Sequence, residues 1–316
     1  MKDFAKLFKK VGGKEILRQY SQTHVLLFAM IETLCMGFSK KGLELVREAV
    51  AYKQLNWLRR KYHIQIEKYC QAHTDDHVVH QISNKVWICW LQGMEQAPSL
   101  VRRCYQSVCE NLPPEREIVV LTEQNYRDYV TFPDYIQQKI NNGVITKTHF
   151  SDLLRLALLN RYGGTWIDAT VFLSSSEIPS YMLHSELFMF QILKPGLDGH
   201  SIVTSSWFMT AHSSHPILLL TQHLLYEYWK NHQNLIDYFL LHDFMQLAIE
   251  TFPKEWNKVV PFSNSLPHIL LLRLFEPYDK HIWEAVKHMT PVHKLTYKYS
   301  KEDIQKKNTY YTELFC

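Results

Sequence analysis

The stretch Ser151-Asp152-Leu153-Leu154-Arg155, followed six residues later by Tyr162-Gly163-Gly164-Thr165-Trp166-Ile167-Asp168-Ala169-Thr170, decides how this chain is read. Leu153, Leu154, Leu156, Ala157, Leu158 and Leu159 predict a strong helix over residues 147–162. It stops at Gly163-Gly164, where a helix end wants a residue free to adopt positive φ. Residues 166–173 then read as a strand interrupted by one carboxylate and one hydroxyl. Asp152 and Arg155 stand three apart on one helix face, close enough for a local ion pair. Asp168 is harder to explain by structure alone, because an unpaired carboxylate in an apolar strand is costly to bury. It must meet a cation, a metal or a sugar hydroxyl, or stand at a sheet edge facing a cleft.

Working outward, residues 85–91 (KVWICWL) form a short β-rich run, residues 98–111 have helical periodicity, and residues 117–121 (EIVVL) form a second strand candidate. Strand, helix and strand at this spacing predict a right-handed crossover unit in a mostly parallel sheet. Residues 125–142 read as short helices broken at Pro133. Residues 186–193 and 206–211 are further strand candidates; 215–229, 235–251 and 267–288 read as helices, the last broken near Pro277. The expectation is an α/β domain over residues 81–316, preceded by a helical, basic region over residues 1–80.

The chain has 316 residues, 46% hydrophobic, with only 10 glycines. That is about 3% glycine against a usual ~7%. Neither G-x-G-x-x-G nor G-x-x-x-x-G-K-[ST] occurs, so the glycine-rich dinucleotide and P-loop classes are excluded. Net charge is +4, but residues 1–70 hold 14 Lys+Arg against 6 Asp+Glu, and the remainder 21 against 25. The basic character belongs to the N-terminal region, which argues against nucleic acid as partner of the whole chain. Lysines beside apolar residues there read either as a solvated helical face or as a surface for anionic lipid. The run at 25–38 contains Glu32 and is too short to span a bilayer, so it reads as a buried or interfacial helix. Six cysteines without C-x-x-C spacing, and no recognisable signal peptide, give the expectation of a reduced, cytoplasmic protein.

The run S-D-L-L-R followed by Y-G-G-T-W-I-D-A-T resembles the bacterial capsular polysaccharide synthesis proteins, which are related to α-mannosyltransferases with a glycosyltransferase-A fold. The resemblance extends from KVWICWLQG at Lys85 through Trp207-Phe208 and Asp237-Tyr238-Phe239 to His293-Lys294-Leu295-Thr296-Tyr297-Lys298. It implies a Rossmann-like, mostly parallel sheet flanked by helices. It also implies transfer of a hexose from a UDP- or GDP-sugar to a lipid-linked capsular or surface-polysaccharide acceptor, with retained configuration, at the inner face of the membrane. Its alternative is an inactive scaffold of the same machinery.

Carried over residue by residue, Asp152 and Arg155 would face the sugar nucleotide, and Asp168 after Gly164 would hold ribose, donor sugar or a divalent metal. The family relatives have Asp-x-Asp here, whereas this chain has Thr170 in place of the second acid, a weak ligand for Mn2+ or Mg2+. Asp243 or His293 is the candidate further ligand. His293, Lys294 and Lys298 form a late basic cluster suited to a diphosphate, or else a solvated tail. His242 and Asp243 read as acceptor-binding or base residues, or as a polar helix face. Trp87, Trp90, Trp166 and Trp207 offer faces to sugar or base rings, or are core. The histidines of residues 73–80 and His212-Ser213-Ser214-His215 are read as linker and turn; the first would otherwise point to a zinc hydrolase.

Overall fold

The computed structural model describes residues 13–73, 81–193 and 202–316. It begins with three helices, α1 (Gly13–Gln22), α2 (Leu26–Met36) and the 33-residue α3 (Lys40–Ala72). Then come β1 (Lys85–Cys89), α4 (Ser99–Asn111) and β2 (Glu117–Leu121). Two short helices flank Pro133, the second being α5 (Asp134–Asn141). Next are α6 (Lys147–Tyr162), β3 (Gly164–Ile167), β4 (Val171–Leu173), β5 (Leu187–Gln191) and β6 (Thr204–Ala211). The chain closes with α7 (Pro216–Asn231), α8 (Leu240–Thr251), α9 (Lys280–Met289), β7 (Val292–Lys294) and short helical turns.

The molecule is mixed α/β, with a mostly parallel central sheet flanked by helices. The sheet runs β2-β1-β3-β6-β5; β1 is parallel to β2 and to β3, and β6 is antiparallel to both its neighbours. Strand alternation divides its core in two. Trp87, Trp166, Met209 and Met189 lie in register across four strands and pack under α3, α6, α7 and α8. Val86, Ile88, Ile167, Phe208 and Phe188 face the other way, against Val108 and Leu112 at the α4 side. Trp87 and Trp166 are at most 1% exposed, and burying a ring of that size stabilises by roughly 4–6 kcal/mol. Leu55, Leu58 and Tyr62 of α3 belong to the same cluster, so the long helix is packed on the sheet domain.

Two features of the strands depart from the sequence expectation. Residues 166–173 are two strands, because the chain turns at Asp168–Thr170, where the Val171 amide donates back to the Asp168 carbonyl at 2.9 Å. The second piece, β4, leaves the main sheet and pairs antiparallel with β7, a strand the sequence did not announce. The helix α2 has only Ala29 buried; Leu27 and Leu34 are 70% and 73% exposed. Among the described residues no helix is long and apolar enough to cross a membrane.

The two glycines at the α6–β3 junction have distinct reasons. Gly163 (φ +68°) ends the helix, its amide donating to the Leu159 carbonyl, and a Cβ there would lie 2.9 Å from the Ala211 carbonyl. Gly164 (φ +97°) runs so close to β1 that a Cβ would be 2.3 Å from the Lys85 carbonyl oxygen. Only a residue without a side chain lets the helix enter the sheet here.

Candidate functional site

Local sequence places the first part of the site. Thr146 caps α6, its hydroxyl accepting from the His149 amide at 3.3 Å. One turn later Asp152 and Arg155 share a helix face, and the Arg155 and Asp152 side chains approach to 3.3 Å. The Gly pair then carries the chain through β3, so that Asp168 emerges at the strand end, its amide donating to the Trp207 carbonyl of β6 at 2.8 Å. These residues lie on the floor of a cleft of about 890 Å³, whose walls include Tyr20 and Arg47 of the N-terminal helices, Trp207, Tyr238 and His242.

The charged groups form one connected cluster. Arg155 is 5% exposed; it donates to the Ser206 carbonyl and, at 2.6 Å, to the Ser206 hydroxyl, and its guanidinium lies 5.0 Å over the Trp166 ring. The same group stands 3.5 Å from Asp168 Oδ1, which also accepts from Trp166 Nε1 at 2.9 Å. Asp168 Oδ2 accepts from Lys294 Nζ at 2.8 Å, and Lys294 donates to the Thr170 hydroxyl at 2.7 Å. Enclosure pushes the Asp168 carboxyl upward, but Lys294 and Arg155 outweigh it and hold the group below the usual carboxylate range. Asp168 is therefore ionised at neutral pH. Asp152 Oδ2 lies 3.4 Å from His149 Nδ1, and His149 Nε2 accepts from Trp229 Nε1. That acceptance assigns the ring proton to Nδ1, facing Asp152.

Strand alternation separates the late basic cluster. In β7, Lys294 pairs with Val171 and reaches the cleft, while its neighbour His293 turns to the opposite face. There His293 is fully buried, bonded through Nε2 to the Ser174 hydroxyl at 2.8 Å and packed on Phe172 and Trp283. Burial pushes its imidazole down to about 3. Lys298 is exposed beyond the strand and is not part of the cleft wall. Trp87 is core, its indole donating to the Gly163 carbonyl at 2.9 Å. Gly164 has a packing reason, given above, and Trp90 meets Tyr297 edge-on.

Trp207 does line the cleft, stacked on Phe190 and tied to Asn264 Oδ1 at 2.9 Å. His242 lines it from α8; burial pushes its imidazole down to about 4, so it is neutral at pH 7 and a weak base. The next residue, Asp243, points into the helix packing instead. Burial, then the neighbouring Asp237 charge, hold its carboxyl well above the usual range. His77 and His80 of the histidine-rich segment fall outside the described residues. His215 is the N-cap residue of α7 and follows a turn at Ser213-Ser214, as expected.

Sequence reading missed Ser206, Asn264 and Tyr238 as cleft residues. Thr204-Ser205-Ser206 before Trp207 is a polar run opening β6, and that run was the available signal. Tyr238 is 64% exposed at the cleft, an aromatic face on which a planar base can stack.

The profile of the family described as capsular polysaccharide synthesis protein matches residues 38–314. An O-glycosyltransferase, braB, of Annulohypoxylon truncatum is 32% identical over 96 residues, which are 28% of this chain and 23% of that protein. The matched stretch thus spans less than a quarter of that relative's length. The solved structure titled PaToxG Glycosyltransferase covers 85% of this chain and 96% of its own, at 13% identity and a TM-score of 0.38. That score is too low for a common fold to be read from it.

Proposed function

The chain belongs to the capsular polysaccharide synthesis protein family, and from that premise we propose that it is a glycosyltransferase of glycosyltransferase-A type, moving a hexose from a UDP- or GDP-sugar to a lipid-linked polysaccharide acceptor with retention. One observation carries this reading. Asp168, Arg155, Asp152 and Lys294 come from three separated segments and converge, paired with one another, on the floor of one cleft. Transfer from a sugar nucleotide needs cations against the leaving diphosphate and a carboxylate near an oxocarbenium-like centre. Asp168 is the carboxylate in this proposal, Lys294 the cation nearest the phosphates, and Tyr238 and Trp207 the faces for base and sugar. His242, neutral and in the cleft, is placed to meet the acceptor; Asp243 supports its helix from behind.

A nucleotide-release assay over a panel of UDP- and GDP-sugars, with Mn2+, with Mg2+ and with chelator, tests the reading. Release stimulated by an oligosaccharide-lipid acceptor with one donor supports it. A protein that binds none of the donors by calorimetry is a scaffold, and the proposal fails.

We also propose that residues up to about 80 form an accessory region of the catalytic domain at 81–316, and that it meets the inner face of the cell membrane. Leu27, Ile31 and Leu34 expose one stripe of α2, with Lys40 and Lys41 exposed at the start of α3. Apolar groups beside lysines favour an anionic interface, and α1 and α3 also wall the cleft, so a lipid-linked acceptor would arrive beside it. The double substitution Leu27→Glu, Leu34→Glu is expected to lower co-sedimentation with phosphatidylserine-containing vesicles about tenfold or more while leaving the melting temperature unchanged. Equal binding by variant and wild type overturns the membrane contact.

A further inference from the structure

The position of Lys294 carries an inference about metal. Asp-x-Asp sites hold a divalent ion on the diphosphate, and Mn2+ or Mg2+ at Asp168 would need its ligands from the residues around that carboxylate. Such ions want about six oxygen ligands with carboxylates among them. Here the candidate donors are one carboxylate and one hydroxyl, and both are engaged. Oδ2 of Asp168 and Oγ1 of Thr170 each accept from the same ammonium, at 2.8 and 2.7 Å. Oδ1 of Asp168 is shared by Trp166 and Arg155. The Asp152 oxygens face Arg155 and His149. His293, the other expected ligand, lies on the far side of β7. Among the described residues no three of His, Cys, Asp and Glu come together in a metal-binding group.

Charge leads to the same conclusion. Two carboxylates, Asp152 and Asp168, already stand against two cations, Arg155 and Lys294. A dication between Asp168 and Thr170 would meet the Lys294 ammonium at contact distance, where like charges in a partly enclosed site repel strongly. The donor set does not fit a divalent ion.

Resting on the reading of the cleft as a nucleotide-sugar site, we propose that the Lys294 ammonium occupies the metal position and that a nucleoside diphosphate binds there without metal. An ammonium has three N–H donors. Two are used on Asp168 and Thr170, which hold the group at the cleft floor, and the third serves a phosphate oxygen. Thr170 is then no degraded ligand. A second carboxylate in its place would draw Lys294 into a tighter pair and leave less of its charge for the phosphate.

The test is calorimetric titration of the full chain with UDP and with GDP, in chelator and then in Mn2+. Binding of one of them with a Kd equal in both conditions to within about twofold is expected. Lys294→Met should weaken that binding about tenfold or more in chelator, and Lys294→Arg should recover most of it; thermal melting verifies that each variant folds. Wild-type binding that appears only with Mn2+ overturns the inference while leaving the nucleotide-sugar reading intact. Binding of neither nucleotide under either condition overturns the nucleotide-sugar reading itself.

Discussion

Asp168→Asn is expected to keep the fold and to reduce sugar transfer by about a thousandfold or more, measured with the donor that the release assay selects. The substitution is nearly isosteric, and the Asn oxygen can still accept from Trp166 Nε1, which now bonds Asp168 at 2.9 Å. The residue stands on a turn, its side chain about a quarter exposed, so no core packing is lost. What disappears is the charge. Lys294 loses its partner at 2.8 Å and is free to leave the position between Asp168 and Thr170. The developing positive charge on the sugar loses its counter-charge as well. Removal of one preorganised electrostatic group in an enclosed site costs on the order of 10²–10³ in turnover, and here one substitution disturbs two groups. Thermal melting within a few degrees of wild type should accompany the loss. Full activity in this variant would remove Asp168 from the site.

Arg155→Ala is expected to cost folding stability as well as activity, about 3–5 kcal/mol in urea unfolding. Arg155 is the common partner of Asp152, Asp168, the Ser206 carbonyl and the Ser206 hydroxyl. Its removal leaves a carboxylate whose side chain is 11% exposed, Asp152, with only His149 beside it, 3.4 Å away. Arg155→Lys should rescue little, because a single ammonium cannot reach the Ser206 and aspartate acceptors together while also lying over the Trp166 ring. The difference from Asp168→Asn is the informative part. If Arg155→Ala unfolds at the wild-type urea concentration, the residue is a surface group in solution and the cluster does not bind the helix to β6.

Much of the scaffold was legible because it follows from short-range pattern. The helix over 147–162, its stop at Gly163 and the strands at 85–89 and 117–121 each depend on neighbours within a few residues. The same holds for Asp152 and Arg155, whose pairing is dictated by helical spacing. The late basic residues were legible only as a group. Nothing in His293-Lys294 tells which one enters the cleft until β7 is paired with β4, since a one-residue change of register exchanges the faces. Trp87 and Trp207 show the same limit. Both are tryptophans within strands, yet Trp87 is packed into the core beneath the helices, whereas Trp207 lies beside Asp168 at the end of β3, where the sheet opens on the cleft.

Composition, periodicity and the Gly163-Gly164 punctuation by themselves determined an α/β chain without glycine-rich phosphate loops, a basic helical beginning, and a carboxylate that had to find a partner. Only the tertiary structure decided that partner. Lys294 lies 126 residues from Asp168 along the chain. They meet because β4 leaves the main sheet at the Asp168–Thr170 turn and takes a three-residue strand from near the C-terminus as its neighbour. Local preferences extend over a few residues, and so short a strand has too little pattern of its own to announce its pairing. The contact that sets the charge of the cleft depends on how the whole core packs.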